Sequence, residues 1–161
     1  KAKLKSTLYL QKMFKKNNFP ATILRLFQAY GPKQDLNRVV PITINSCIKN
    51  KSFPCSNGKQ LRDFIHVNDV VEAIFKSFKN KSSTGEIINI GSGRPIKIRG
   101  LIKKIVHLTG GGKPEFGQIP LRRDETKKNF PDISKAKKIL KWKNKINLSK
   151  GLKKTIKSYR Q

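Results

Sequence analysis

Acidic residues are scarce in this chain: 9 Asp and Glu stand against 37 Lys and Arg, a formal net charge of +28 over 161 residues. So positive a surface attracts nucleic acid, anionic membrane and phosphorylated small molecules alike, and does not choose among them. A general bias towards lysine at exposed positions is the plainer source of the same imbalance. Cysteine is equally sparse. Cys47 and Cys55 have no second pair and no histidine nearby, which excludes a zinc site and leaves two buried or half-buried thiols of a reducing compartment. The 2 histidines, His66 and His107, are too few for a metal cluster, and each is expected to be structural. No apolar run is long enough to cross a bilayer. The opening "KAKLKSTLYLQKMFKK" carries lysines throughout and lacks both the hydrophobic segment and the cleavage site of a signal peptide. It has no Met and no capping residue ahead of its helical pattern, so a fragment of a longer protein is expected.

A length of 161 residues suits one domain with a real core, not two. Leu4, Leu8, Leu10, Met13 and Phe14 recur at helical spacing and mark the tail of a helix ending at "KNNF". "PATILRLFQAY", residues 20–30, is expected to be one strand buried on both faces, as in a parallel sheet. A loop "GPKQDLNRV" leads to a helix beginning near Pro41. "SFPCSNGKQ" reads as a hairpin-like piece turning at Asn57-Gly58. "RDFIHV" is extended, and Asn68 is the expected cap of the helix "DVVEAIFKSFKN". "GEIINIGS" is a second buried strand, and "PIKIRGLIKKIVHLTGG" gives a short extended piece and a helix stopped by glycines. A strand at "KPEFGQI", a capped helix "DISKAKKILKW" and a final helix "NLSKGLKKTIKSYR", with Leu148, Leu152 and Ile156 on one face, complete a mixed α/β pattern without repeats. Two parallel-type strands alone cannot cover these helices, so part of a sheet is missing from the pattern.

The segment "QLRDFIHVNDV", residues 60–70, holds two of the few carboxylates in the chain. Alternation puts Arg62, Phe64 and His66 on one side and Asp63, Ile65 and Val67 on the other. Asp63 is then expected to be paired or bonded to backbone, because an unpaired buried charge costs several kcal/mol. Arg62 offers a rigid fork of donors suited to phosphate, against the alternative of an ordinary surface arginine. Asp69 and Glu72 read as charges of a helix start rather than a catalytic pair. "NIGSGRP", residues 89–95, has two glycines and Ser92 after a strand, so its backbone donors could cradle an anion, but it lacks the full Gly-x-Gly-x-x-Gly pattern. In "IPLRRDE", Arg122 and Arg123 beside Asp124 and Glu125 suit either a diphosphate or a local salt bridge.

In order, "ILRLFQAYGP", "VVPITI", "GKQLRDFIHVNDVVEAI", "EIINIGSG" and "DISKAKKILKW" with "NLSKGLKKTI" resemble the C-terminal half of the extended short-chain dehydrogenase/reductase family, specifically its NAD-dependent nucleotide-sugar epimerases and dehydratases. The resemblance covers nearly the whole chain. It implies the C-terminal part of a Rossmann-type α/β sheet plus a small mixed α/β substrate-binding subdomain. Residues 1–32 would end the Rossmann part and carry a remnant of the catalytic helix. Residues 33–161 would be mostly substrate-binding, with a Rossmann strand interleaved near 86–91.

The resemblance also assigns roles. Arg62 becomes the best contact to the nucleotide-sugar diphosphate, with Asp63 structural. Arg122 supplies a second positive group to the same diphosphate, with Arg123 as its alternative. Gln28 stands where the family usually has a substrate-contacting Asn; it offers the same amide on a longer arm. Arg38 is placed with the substrate contacts, Arg25 with the cofactor, and Tyr30-Gly31-Pro32 shapes the loop into the pocket. The lysine of the family's Tyr-x-x-x-Lys pair, which lowers the tyrosine's pKa and binds the nicotinamide ribose of the cofactor, falls at Lys3, or at Lys1 if the turn differs by two residues, and its tyrosine falls before residue 1. Tyr9 follows both lysines and cannot substitute. The glycine-rich fingerprint for NAD or NADP is not in these 161 residues, so hydride transfer by them alone is not expected. "EFGQIPLRRDE" looks closest to members acting on CDP- or dTDP-activated deoxysugars. A cytoplasmic parent, homodimeric and acting in carbohydrate biosynthesis, is what the family implies. The competing readings are a basic nucleic-acid-binding protein and a nonfunctional remnant; no zinc-finger spacing, aromatic RNA-binding strand or helix-turn-helix supports specific nucleic-acid recognition.

Overall fold

The computed structural model describes residues 2–160. Helix α1, Ala2–Asn17, leads into strand β1, Ile23–Leu26. The single strand expected over residues 20–30 is in fact two. β1 pairs in parallel with β6, Ile87–Ile90, while β2, Gln28–Tyr30, pairs in parallel with β5, Phe64–His66. The break falls at Phe27, whose N–H still reaches the Ile90 carbonyl at 3.0 Å before the chain changes partner. Nor is β1 buried on both faces: Arg25 and Leu26 are exposed.

Helix α2, Val39–Ile48, begins two residues ahead of Pro41. The following strand β3, Ser52–Cys55, forms no hairpin. It pairs in parallel with β8, Lys113–Phe116, from far along the chain. Gly58 serves a different purpose from a hairpin turn: its φ is 66°, and an added Cβ would lie 2.7 Å from the Arg99 nitrogen. Its carbonyl accepts that N–H at 3.0 Å, so glycine allows two backbones to meet there.

Strand β4, Leu61–Arg62, joins two partners, β7 (Ile96–Lys97) antiparallel and β9 (Lys128–Asn129) parallel. Helix α3, Val67–Lys79, is capped by His66 and not by Asn68: the His66 Nδ1 accepts the Asn68 N–H at 3.2 Å. A 3-10 turn at Lys81–Ser83 leads to β6. Helix α4, Ile98–Thr109, closes at Gly110 as the glycines foretold. Helix α5, Ser134–Leu140, starts beside Asp132, whose Oδ1 accepts the Ser134 N–H at 2.8 Å. These Ser134 hydrogen bonds hold the Asp132 carboxyl below its ordinary range. Helix α6, Leu148–Tyr159, is capped by Asn147, whose Oδ1 accepts the Lys150 N–H at 2.9 Å.

Two apolar cores result, and β5 divides them. Phe64 joins Tyr30, Ile44, Leu101, Ile105 and Leu152 in a core built on α2, α4 and α6. Its neighbour Ile65 joins Val70, Ala73, Ile88, Ile90 and Trp142 in the other. The alternation expected of "RDFIHV" therefore holds within β5. Cys47 and Cys55 are free and buried, and burial raises both thiol pKa values. Helix α3 keeps Val71, Ile74, Phe75 and Phe78 on its outer side, with Phe78 89% exposed. Among the described residues no helix is long and apolar enough to cross a membrane, and no group of His, Cys, Asp and Glu suits a metal ion.

Candidate functional site

The register of β2 against β5 pairs Gln28 with Phe64, and the Gln28 N–H donates to the Asp63 carbonyl at 3.1 Å. That pairing sets Gln28 beside Arg62. The short sheet around β4 then fixes Arg62 itself, which is only 8% exposed. Both residues line a cavity of about 390 Å³. Its other walls are largely apolar: Val39 and Ile42 of α2, Phe53 of β3, Phe64 of β5, Ile98 and Ile102 of α4, and Ile119. One buried guanidinium in an apolar recess of this size is a common plan for holding a ligand with a charged group and a flat or carbon-rich body. The Arg62 Nη1 donates to the Leu61 carbonyl at 2.7 Å, and Nη2 meets the Glu125 carboxylate in an ion pair. Glu125 thus joins a residue far away in sequence and not the neighbouring arginines of "IPLRRDE".

A second cavity, of about 460 Å³, shares Gln28 in its wall and is lined also by Lys3, Arg25, Gln34, Arg38 and Asn129. The fold therefore gathers Lys3, Arg25, Gln28 and Arg38 around one space and Gln28 and Arg62 around the next. The alternative lysine at position 1 lies outside the described residues. Arg122 is exposed and does not line the Arg62 cavity; it sits on a turn whose carbonyl accepts the Glu125 N–H at 3.0 Å. Two glutamines escaped the sequence reading. Gln60 on the first cavity and Gln34 on the second each have a buried amide oxygen with no partner among the described residues. Nothing local in the sequence marks them.

The glycine loop and the buried acids answer each other. Asp63, fully buried, accepts from the Ser92 N–H at 2.6 Å, the Ser92 hydroxyl at 3.0 Å and the Arg94 N–H at 3.1 Å. "NIGSGRP" does cradle an anion, but the anion is the chain's own carboxylate. The loop's Ser92 and Arg94 donors are consequently taken. Asp69 is no simple helix-start charge either. Its two oxygens accept the Lys145 and Ile146 N–H groups, each at 3.0 Å, and its carbonyl accepts the Trp142 Nε1–H at 3.1 Å. Tyr30 is buried against His66, with ring centroids 5.6 Å apart. Burial, with Asp69 adding to it, raises the Tyr30 phenol well above its usual range, which suits a packing residue and not a proton donor. His66 is also buried, and burial lowers its pKa.

This arrangement has close counterparts. A family model described as NAD dependent epimerase/dehydratase matches residues 1–91, and the chain belongs to that family. A UDP-glucose 4-epimerase from Thermotoga maritima, solved with UDP-glucose, superposes with a TM-score of 0.92 at 30% identity, over 99% of this chain and 52% of that one. The human dTDP-D-glucose 4,6-dehydratase is 30% identical over 99% of this chain and 46% of its own length. CDP-abequose synthase of Salmonella muenchen is 29% identical over 83% of this chain and 46% of its length. The chain thus spans about half the length of the curated relatives it matches. Its architecture is the Rossmann-type α/β fold of nucleotide-sugar epimerases and dehydratases.

Proposed function

We propose that this chain is the substrate-binding portion of an NAD-dependent epimerase, dehydratase or reductase acting on a nucleotide-diphosphate sugar, and that it does not turn over alone. The observation that carries the reading is the buried Arg62 guanidinium set in a largely apolar cavity with Gln28. Arg62 contacts the diphosphate, joined by Arg122 when its turn moves inward, while Gln28 and Arg38 contact the nucleotide or sugar. Lys3 lies at the sugar end, where it lowers the pKa of a tyrosine outside these residues, and Arg25 lies towards the cofactor. Residues 1–32 close the Rossmann part and residues 33–161 bind substrate, the strand near 86–91 returning to the first unit; the parallel pairing of Ile23–Leu26 with Ile87–Ile90 supports that division.

NAD or NADP, when bound by the complete enzyme, would take a hydride from a sugar-ring alcohol and usually return it. The residues here orient the sugar nucleotide. The complete enzyme is read as a cytoplasmic homodimer of carbohydrate biosynthesis.

The test is calorimetric titration of the chain with UDP, dTDP and CDP, repeated for Arg62→Ala. Selective binding of one diphosphate, weakened about 10-fold or more in the variant, is the expected result. Equal affinity in both proteins overturns the site assignment. Turnover of a nucleotide sugar by the 161 residues alone overturns the claim of inactivity. Binding of labelled DNA that keeps a sequence preference near physiological salt would favour a nucleic-acid protein instead; binding that collapses with salt reflects lysine charge only.

A further inference from the structure

We infer that Glu125 is an exchangeable counter-ion, holding Arg62 while the cavity lacks an anion and giving it up to the diphosphate, so that Glu125 sets how tightly the site binds. The inference rests on the nucleotide-sugar reading of the Arg62 cavity. Among the described residues Glu125 is the sole carboxylate lining that cavity, in a chain with only 9 acids. Its partner has little other recourse: the Arg62 side chain is 10% exposed and that of Glu125 26%, and a guanidinium so shielded from water needs a negative neighbour. The Nη2 that meets Glu125 is a donor a phosphate oxygen would also take, and one Nη1 hydrogen already goes to the Leu61 carbonyl.

The geometry also provides Glu125 with somewhere to go. It also lines a separate recess, of about 380 Å³, together with Lys59 and Lys127. A carboxylate released from Arg62 would find two cations there. The backbone allows this locally. The Leu61 N–H to Lys127 carbonyl bond, 2.9 Å, anchors the far side of the segment, and the turn from Arg122 to Glu125, exposed up to Asp124, lies ahead of that anchor. Release of Glu125 would remove one negative side chain from the cavity as the diphosphate arrives.

An internal competitor weakens a charged ligand and leaves an uncharged one alone. The experiment is calorimetric titration of wild type and Glu125→Gln with UDP, dTDP and CDP and with the three parent nucleosides. Glu125→Ala is a second variant, and the emission of the single tryptophan, Trp142, checks folding. The expected result is diphosphate binding about 10-fold tighter in both variants, with nucleoside binding unchanged. If wild type binds a diphosphate through Arg62 and the folded variants bind it equally or more weakly, Glu125 is a structural prop and the inference falls while the proposed function stands. If neither wild type nor variant binds any diphosphate, both fall together.

Discussion

Asp63 and Ser92 are joined twice, the Ser92 N–H reaching Oδ1 at 2.6 Å and its hydroxyl reaching Oδ2 at 3.0 Å. This double contact ties the strand segment that holds Arg62 to the loop following β6, and the Arg94 N–H adds a third donor. Asp63→Asn keeps the shape but presents an NH2 group to one of these donors. The expected loss is about 2–3 kcal/mol, the scale of charge-assisted hydrogen bonds left unmade in a buried place. Urea unfolding followed by Trp142 fluorescence measures it.

Asp69 makes a parallel tie between the start of α3 and residues 145 and 146. Its backbone carbonyl also receives the Trp142 indole N–H. Asp69→Asn is expected to cost about 2 kcal/mol and to shift Trp142 emission to the red, because one donor would face another. An unchanged midpoint with unchanged emission contradicts that account.

His66 makes stability depend on pH. Burial lowers its folded pKa below the ordinary value, with Asp69 opposing and Lys154 reinforcing the shift. Its Nδ1 accepts the Asn68 N–H, so the neutral ring is needed for the cap. The unfolded chain takes up a proton near the usual histidine pKa of about 6.5, where the fold still resists it, so acid favours unfolding. Stability is present above that pH and falls as pH drops through it towards the folded pKa. Melting temperatures from pH 8 to 5 are expected to fall in wild type and to flatten over this window in His66→Gln, once the carboxylate background common to both is subtracted.

Gly151→Ala should invert the usual helix rule. Alanine in a helix interior ordinarily gains about 0.5–1 kcal/mol over glycine. Here the new Cβ would lie 2.1 Å from the Tyr30 Oη and 3.1 Å from the His66 Cδ2. Tyr30 cannot easily withdraw, since its ring is buried against Phe64 and His66. A net loss of about 1–2 kcal/mol is expected from overpacking. Adding Tyr30→Phe, which removes the nearest atom, should recover part of the melting temperature.

The helices were legible because their apolar spacing and end signals are local: Gly110 stops α4, and Asn147 opens α6. The strand at Ile87–Ile90 was legible from its apolar run. What escaped depends on partners distant in sequence. Phe27 looks like any strand residue until β1 and β2 choose different neighbours. Asn57-Gly58 carries a hairpin signal, but β3 finds a better partner in β8. The anion-binding character of the glycine loop was visible; its occupation by Asp63 was not, since that depends on tertiary approach. Arg62 stood out for its chemistry, whereas the sequence left Glu125 between a diphosphate loop and a local salt bridge, because its true partner lies across the fold.

The outward side of α3, with Phe75 and Phe78 in water, stands in one molecule with a charge of +28. At low ionic strength two copies repel before these rings can meet. Added salt shortens the reach of that repulsion from about 10 Å at 0.1 M to about 3 Å at 1 M, while contact between rings persists. The excess of lysine is thus a colloidal stabiliser, and concentrated salt, usually chosen to quiet a basic protein, is the condition under which this one clusters.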